Sequence, residues 1–142
     1  MALSYLHLPF GAAPPSLELG AFCAVVVIEE AVTDDWQNEV SEWLVRSGCL
    51  AMCACGKDCS SWDDSVDHAN LADFNYGEIP DDRFVMTTWH DKETLAEAFW
   101  FAAHCAFHPT TELAHTLIVD IAPKERRDEL VAAFHEAELA DG

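Results

Sequence analysis

Apolar residues along the chain alternate between strand-like and helix-like spacing. FCAVVVIEE, from Phe22 to Glu30, is a continuous apolar, β-branched run of strand length, the pattern of a strand covered on both faces. Thr33 then offers an N-cap, with Asp34 and Asp35 in a first turn where the helix dipole favours negative charge. Trp36, Val40, Trp43 and Leu44 follow at i, i+4, i+7 and i+8, one apolar stripe, and Gly48 ends the predicted helix. CLAMCACG predicts a second buried strand, and a helix begins near Ser60 or Ser61. FVMTTW, Phe84 to Trp89, predicts a third strand. The helical stretch from Lys92 to Phe107 is apolar on nearly every side, which predicts deep burial or half of an interface. HTLIVDIA predicts a fourth strand, and Leu130, Ala133, Phe134 and Ala137 mark a last amphipathic helix with Pro123 in its first turn.

The order β-α-β-α-β-α-β-α predicts a single three-layer α/β domain with a mostly parallel four-stranded sheet over residues 21–142. Residues 1–20 carry Pro9, Gly11, Pro14, Pro15 and Gly20, and are predicted to form an irregular N-terminal arm that packs through Leu3, Tyr5, Leu6, Leu8 and Phe10.

Charge changes this picture most. The chain of 142 residues holds 26 acids and 7 Lys or Arg, a formal net charge of −19. Direct binding to nucleic acid or anionic lipid is disfavoured, because phosphate contacts need cations; the partners to expect are basic. No run of about 18 apolar residues predicts a membrane span, and no basic leader precedes Arg46, so a cytoplasmic location is expected. In that setting the six cysteines read as reduced thiols, with Cys23 and Cys105 as small core residues.

In open parallel sheets, ligands bind beyond the carboxyl ends of the strands, which draws attention to Glu29 and Glu30, Gly56 to Cys59, His90 and Asp91, and Asp120. Gly56-Lys57 is not a phosphate loop, because Asp58 follows the lysine and the nearest earlier glycine is Gly48. Cys53, Cys55, Cys59 and His68 have zinc-ligand chemistry without paired CxxC hooks, and Cys53 and Cys55 share a strand face that a helix should cover. Asp63, Asp64 and Asp67 lack an EF-hand pattern, and His104 and His108 lack the HExxH arrangement. No metal or cofactor is therefore expected. A thiol nucleophile at Cys59, with His90 as base and Asp58 beside it, is the enzymatic alternative.

After these subtractions the acids stand out. Asp58, Asp63, Asp64, Asp67, Asp73, Glu78, Asp81 and Asp82 are interleaved with Trp62, Phe74 and Tyr76 and contain no base after Lys57. Acids that steer and rings that anchor are what a binder of a basic protein shows. The expected contact set is Trp62, Asp63, Asp64, Asp67, Asp73, Tyr76, Glu78, Asp81 and Asp82, and the apolar third helix is the expected seam if the chain forms a homodimer.

GKDCSSWDDSVDHANL, IPDDRFVMTTWHD, AFWFAAHCAFHP and TLIVDIAP together resemble an uncharacterised family of small bacterial α/β proteins, over roughly Phe22 to Pro123. The resemblance implies a Rossmann-like fold and a bacterial or phage source, and no activity. The leading expectation is an acidic inhibitor or immunity-type module that occupies a basic, nucleic-acid-handling surface of a partner protein.

Overall fold

The computed structural model describes residues 2–140. Five strands form one sheet: β1 (Ala2–His7), β2 (Phe22–Ile28), β3 (Cys49–Gly56), β4 (Met86–Trp89) and β5 (His115–Ile121), in the order β1-β5-β2-β3-β4. Every pairing is parallel. Among the described residues there are also four α-helices, α1 (Asp34–Ser47), α2 (Cys59–Asp73), α3 (Leu95–His104) and α4 (Arg127–Leu139), and one 3-10 turn at Asp81–Arg83.

The expected four-stranded sheet is thus corrected to five. The error lay in the arm, whose first residues pair with β5 from Ala2 opposite His115 to His7 opposite Asp120. The prolines and glycines begin only at Pro9, after the strand has ended. The rest of the arm is the crossover from β1 to β2, and it packs on α1: Trp36 Nε1 donates to the Ala12 carbonyl and Trp43 Nε1 to that of Pro15. Its Phe10 ring meets Trp36 edge-on at 5.5 Å.

Strand alternation divides the core. Phe22, Ala24, Val26 and Ile28 face α1 and α2, with Val40, Leu44, Trp62 and Val66. Cys23, Val25 and Val27, with Cys53, Cys55 and Ile118, face α3 and α4, with Phe99, Leu130 and Phe134. The α1 caps are as predicted: Thr33 Oγ1 accepts from the Trp36 N–H, and Gly48 is left-handed at φ 104°. α3 starts later than its pattern suggested, at a capping box in which Thr94 and Glu97 satisfy each other's backbone N–H. α4 also starts later; Pro123 lies ahead of it, and Arg126 holds the N-cap position.

The apolar third helix is mostly accounted for within the chain. Its Trp100, Phe101 and Ala103 pack against the α4 side of the core, Trp100 Nε1 donates to the Ala140 carbonyl, and His104 Nε2 bonds to that of Ala137. The homodimer seam expected there loses the open apolar face that motivated it.

The connections leave neighbouring strands toward opposite faces at two places. β2 leads to α1 and its neighbour β5 to α4; β3 leads to α2 and its neighbour β4 to α3. At such switch points the diverging loops open a crevice at the carboxyl edge of the sheet.

Candidate functional site

The β2/β5 crevice is plugged by the chain itself. Asp120 is fully buried, yet Arg126 donates to it through Nη2 at 2.6 Å and Nε at 3.3 Å, and the Tyr5 hydroxyl donates to it at 2.5 Å. Tyr5 in turn accepts the Arg126 backbone N–H at 2.9 Å, which pins the start of α4 to β1. Burial and the Asp120 bond push the Tyr5 phenol up to about 12. Arg126 Nη1 also reaches Glu29 at 3.5 Å. Tyr5, Asp120, Arg126 and Glu29 thus pair with one another and fill this crevice.

The β3/β4 crevice is built differently. Beyond β3 the turn Gly56-Lys57-Asp58 leans on the end of β2, where the Lys57 N–H donates to the Ile28 carbonyl. Gly56 sits at φ 97°, and a Cβ there would lie 2.2 Å from the Ile28 oxygen, so glycine is required by close backbone approach and not by a phosphate. Beside this turn His90 is buried and held from two sides, Nδ1 2.6 Å from Glu93 Oε2 and Nε2 2.9 Å from Thr88 Oγ1.

The partner thiol of His90 is Cys53, whereas the sequence had suggested Cys59. Cys53 pairs across the sheet with Thr88, and both project to the α3 side with the imidazole. A hydrogen bond from Cys23, together with His90 and Thr88, outweighs burial and holds Cys53 down at about 6. Cys23 is driven the other way, first by that same bond and then by burial. His90 is raised by Cys53 and, behind it, Glu93, against burial. The result is a cysteine–histidine–glutamate line.

Cys59 is 1 % exposed and its thiol is raised by burial; it lies against the backbone N–H of His90, not the ring. Asp58 is exposed with φ 52° and makes no side-chain cap bond. The expected Cys59–His90–Asp58 arrangement is therefore not assembled. The signal that would have found Cys53 is its register opposite Thr88, two residues before the histidine, which only the strand pairing reveals.

All six cysteines are free thiols. Among the described residues no three or more of the His, Cys, Asp and Glu side chains converge as a metal site, and no helix is long and apolar enough to cross a membrane. His68 bonds Tyr76, and His108 bonds the Phe84 carbonyl.

The acidic segment divides. Asp63 and Asp67 lie one turn apart on the α2 face toward β4, where Asp67 Oδ1 accepts from Thr87 Oγ1 at 2.9 Å. Asp63 is 7 % exposed, and its Oδ1 is buried with no hydrogen-bond partner. Burial raises Asp67, and the negative charges of Asp63 and Asp64 raise it further. Asp64, Glu78, Asp81 and Asp82 are exposed.

Two expected contacts drop out. Trp62 is 1 % exposed, inside the core. Asp73 turns toward α1, 3.7 Å from Arg46. Tyr76, by contrast, is 63 % exposed and stands at φ 60°, held in that left-handed conformation by its N–H bond to the Leu71 carbonyl. β4 is an edge that the sequence did not reveal: among the described residues no strand pairs with its outer side, and a groove of about 420 Å³ runs between it and α2, lined by Asp67, Leu71, Ile79, Phe84 and Met86. Phe84 and Trp89, at 47 % and 52 % exposed, stand at the two ends of this edge.

A family model described as a domain of unknown function, DUF7684, matches residues 3–137. No curated protein and no solved structure matches the chain.

Proposed function

The chain belongs to the DUF7684 family of uncharacterised domains, and from its own residues we propose that it is an acidic protein-binding module of inhibitor or immunity type, occupying a basic, nucleic-acid-handling surface of a partner. The observation that carries this reading is the unpartnered, buried carboxylate oxygen of Asp63 beside Asp67 on the β4 side of α2. A buried acceptor without a donor costs about 1–3 kcal/mol, which a Lys or Arg side chain from outside would relieve. Around it lie features of a docking face: an unpaired strand edge, a groove with apolar walls, and exposed Tyr76, Phe84 and Trp89. The net charge of −19 would steer a basic partner toward the chain at a distance.

Affinity capture from source-cell lysate, at low and high salt, compares the wild type with the Asp64→Lys/Asp67→Lys variant, both exposed positions. A basic protein retained by the wild type and lost with salt and with the reversal is the expected result. A partner indifferent to both, or none retained, overturns the proposal.

Asp63 offers a second test, because a group kept for a partner is a burden without one. Asp63→Ala removes the unsatisfied oxygen and adds helix propensity, so the isolated chain gains about 1 kcal/mol, read as a higher thermal midpoint. The same variant captures less partner. A loss of stability would show that Asp63 supports the fold.

A further inference from the structure

The Cys53–His90–Glu93 line plays no part in docking at the β4 edge, yet its thiol end, Cys53, borders a space of its own. A crevice of about 60 Å³ under α3 is lined by Cys53, Thr88, Met86, Phe101 and Cys105. A buried structural thiol needs neither a histidine held by a carboxylate nor a void beside it. The void is large enough for a few water-sized molecules and too small for a bulky substrate. Its walls are mostly apolar, with two thiols facing one space: Cys53 on the sheet, and Cys105, exposed, at the end of α3.

We propose that Cys53 is a peroxide-reactive thiol, with hydrogen peroxide as the oxidant that the crevice admits and Cys105 as the thiol that resolves it. The Cys53 thiolate attacks one peroxide oxygen and the O–O bond breaks. The departing hydroxide takes a proton from the His90 imidazolium and leaves as water. Sulfur loses two electrons to become a sulfenic acid, and peroxide gains them. His90 is left neutral, its Nδ1–H still donating to Glu93. The Cys105 thiol then attacks the sulfenic sulfur, a disulfide forms and a second water leaves. Thr88, opposite Cys53 in the strand register and bonded to His90 Nε2, fixes the ring on the same side of the sheet as the thiol. A crevice this small selects for size, which separates a small oxidant from alkylating reagents that thiolates otherwise meet.

The experiment uses the full pre-reduced chain, titrated with hydrogen peroxide and followed by intact mass and peptide mapping. The wild type is expected to end as a Cys53–Cys105 disulfide. Cys105→Ala is expected to stop with one added oxygen on Cys53. His90→Gln, which keeps a polar side chain over Thr88, is expected to slow oxidation of Cys53 at least tenfold. Bulkier tert-butyl hydroperoxide is expected to react at least tenfold more slowly than hydrogen peroxide with the wild type. A wild-type Cys53 that oxidises no faster than Cys105 does in Cys53→Ser overturns the proposal, and that comparison does not depend on whether the His90 variant folds. Added oxygen on Cys105 alone does the same.

Discussion

Arg126→Met is expected to destabilise the chain by about 3 kcal/mol, because it strands the fully buried Asp120 carboxylate. Breaking a buried pair typically costs about 3–5 kcal/mol. The lower figure applies because the Tyr5 hydroxyl still donates to Asp120 and because Arg126 is itself 24 % exposed. Against a typical total of about 5–15 kcal/mol, that is a large share. Urea denaturation measures it. Tyr5→Phe, which leaves the arginine in place, should cost about 1–2 kcal/mol. The double variant Asp120→Asn/Arg126→Met should recover part of the loss, since no unpaired charge remains, and the cycle should show a favourable coupling. If Arg126→Met matches the wild type, the crevice between β2 and β5 is not plugged by a structural ion pair and becomes a candidate ligand site.

That outcome bears on where function can lie. A doubly wound sheet offers its switch points as binding places, and this one has two. In the first, Tyr5, Arg126 and Glu29 take the positions a ligand would occupy around Asp120. In the second, between β3 and β4, the polar groups form a line ending in a thiol beside a void. The β4 edge next to it carries the open backbone and the exposed rings.

Much of this was legible in the residues. The strand and helix order from Phe22 onward follows from apolar periodicity, and the Thr33 and Gly48 caps from their side-chain chemistry. β1 was not legible, because six residues ahead of a Pro- and Gly-rich stretch carry no signal of their own, and their partner β5 lies more than a hundred positions away. The same non-locality hid the thiol pairing. His90 was visible as a base at a strand end, but Cys59 looked nearer in sequence logic than Cys53, which only parallel register brings opposite Thr88. Asp120 stood out only as an acid near a strand end; that it is buried and paired with Arg126, six residues on, emerges only from the fold.

Trp62 tests how the acidic segment divides between fold and surface. Among the acids it reads as an anchor ring, but its spacing to Cys59, Val66 and Ala69 puts it on the buried stripe of α2. In the structure it is 1 % exposed and meets Trp36 nearly perpendicular, with ring centroids 6.4 Å apart, beneath the Phe10 contact that fastens the arm. Trp62→Ala is therefore expected to cost about 3–5 kcal/mol and to lower the thermal midpoint by about 10 °C, whereas Trp62→Phe costs about 1–2 kcal/mol. Tyr76→Ala, at a ring 63 % exposed, should leave stability within about 0.5 kcal/mol. If the docking face is as proposed, the two variants respond in opposite ways: Tyr76→Ala loses the partner while keeping the fold, and Trp62→Phe keeps the partner while losing some stability. A Trp62→Ala chain as stable as the wild type would move the ring out of the core and return it to the contact surface. Equal partner capture by Tyr76→Ala would take the exposed tyrosine out of that surface and leave the carboxylates of α2 to carry the interaction.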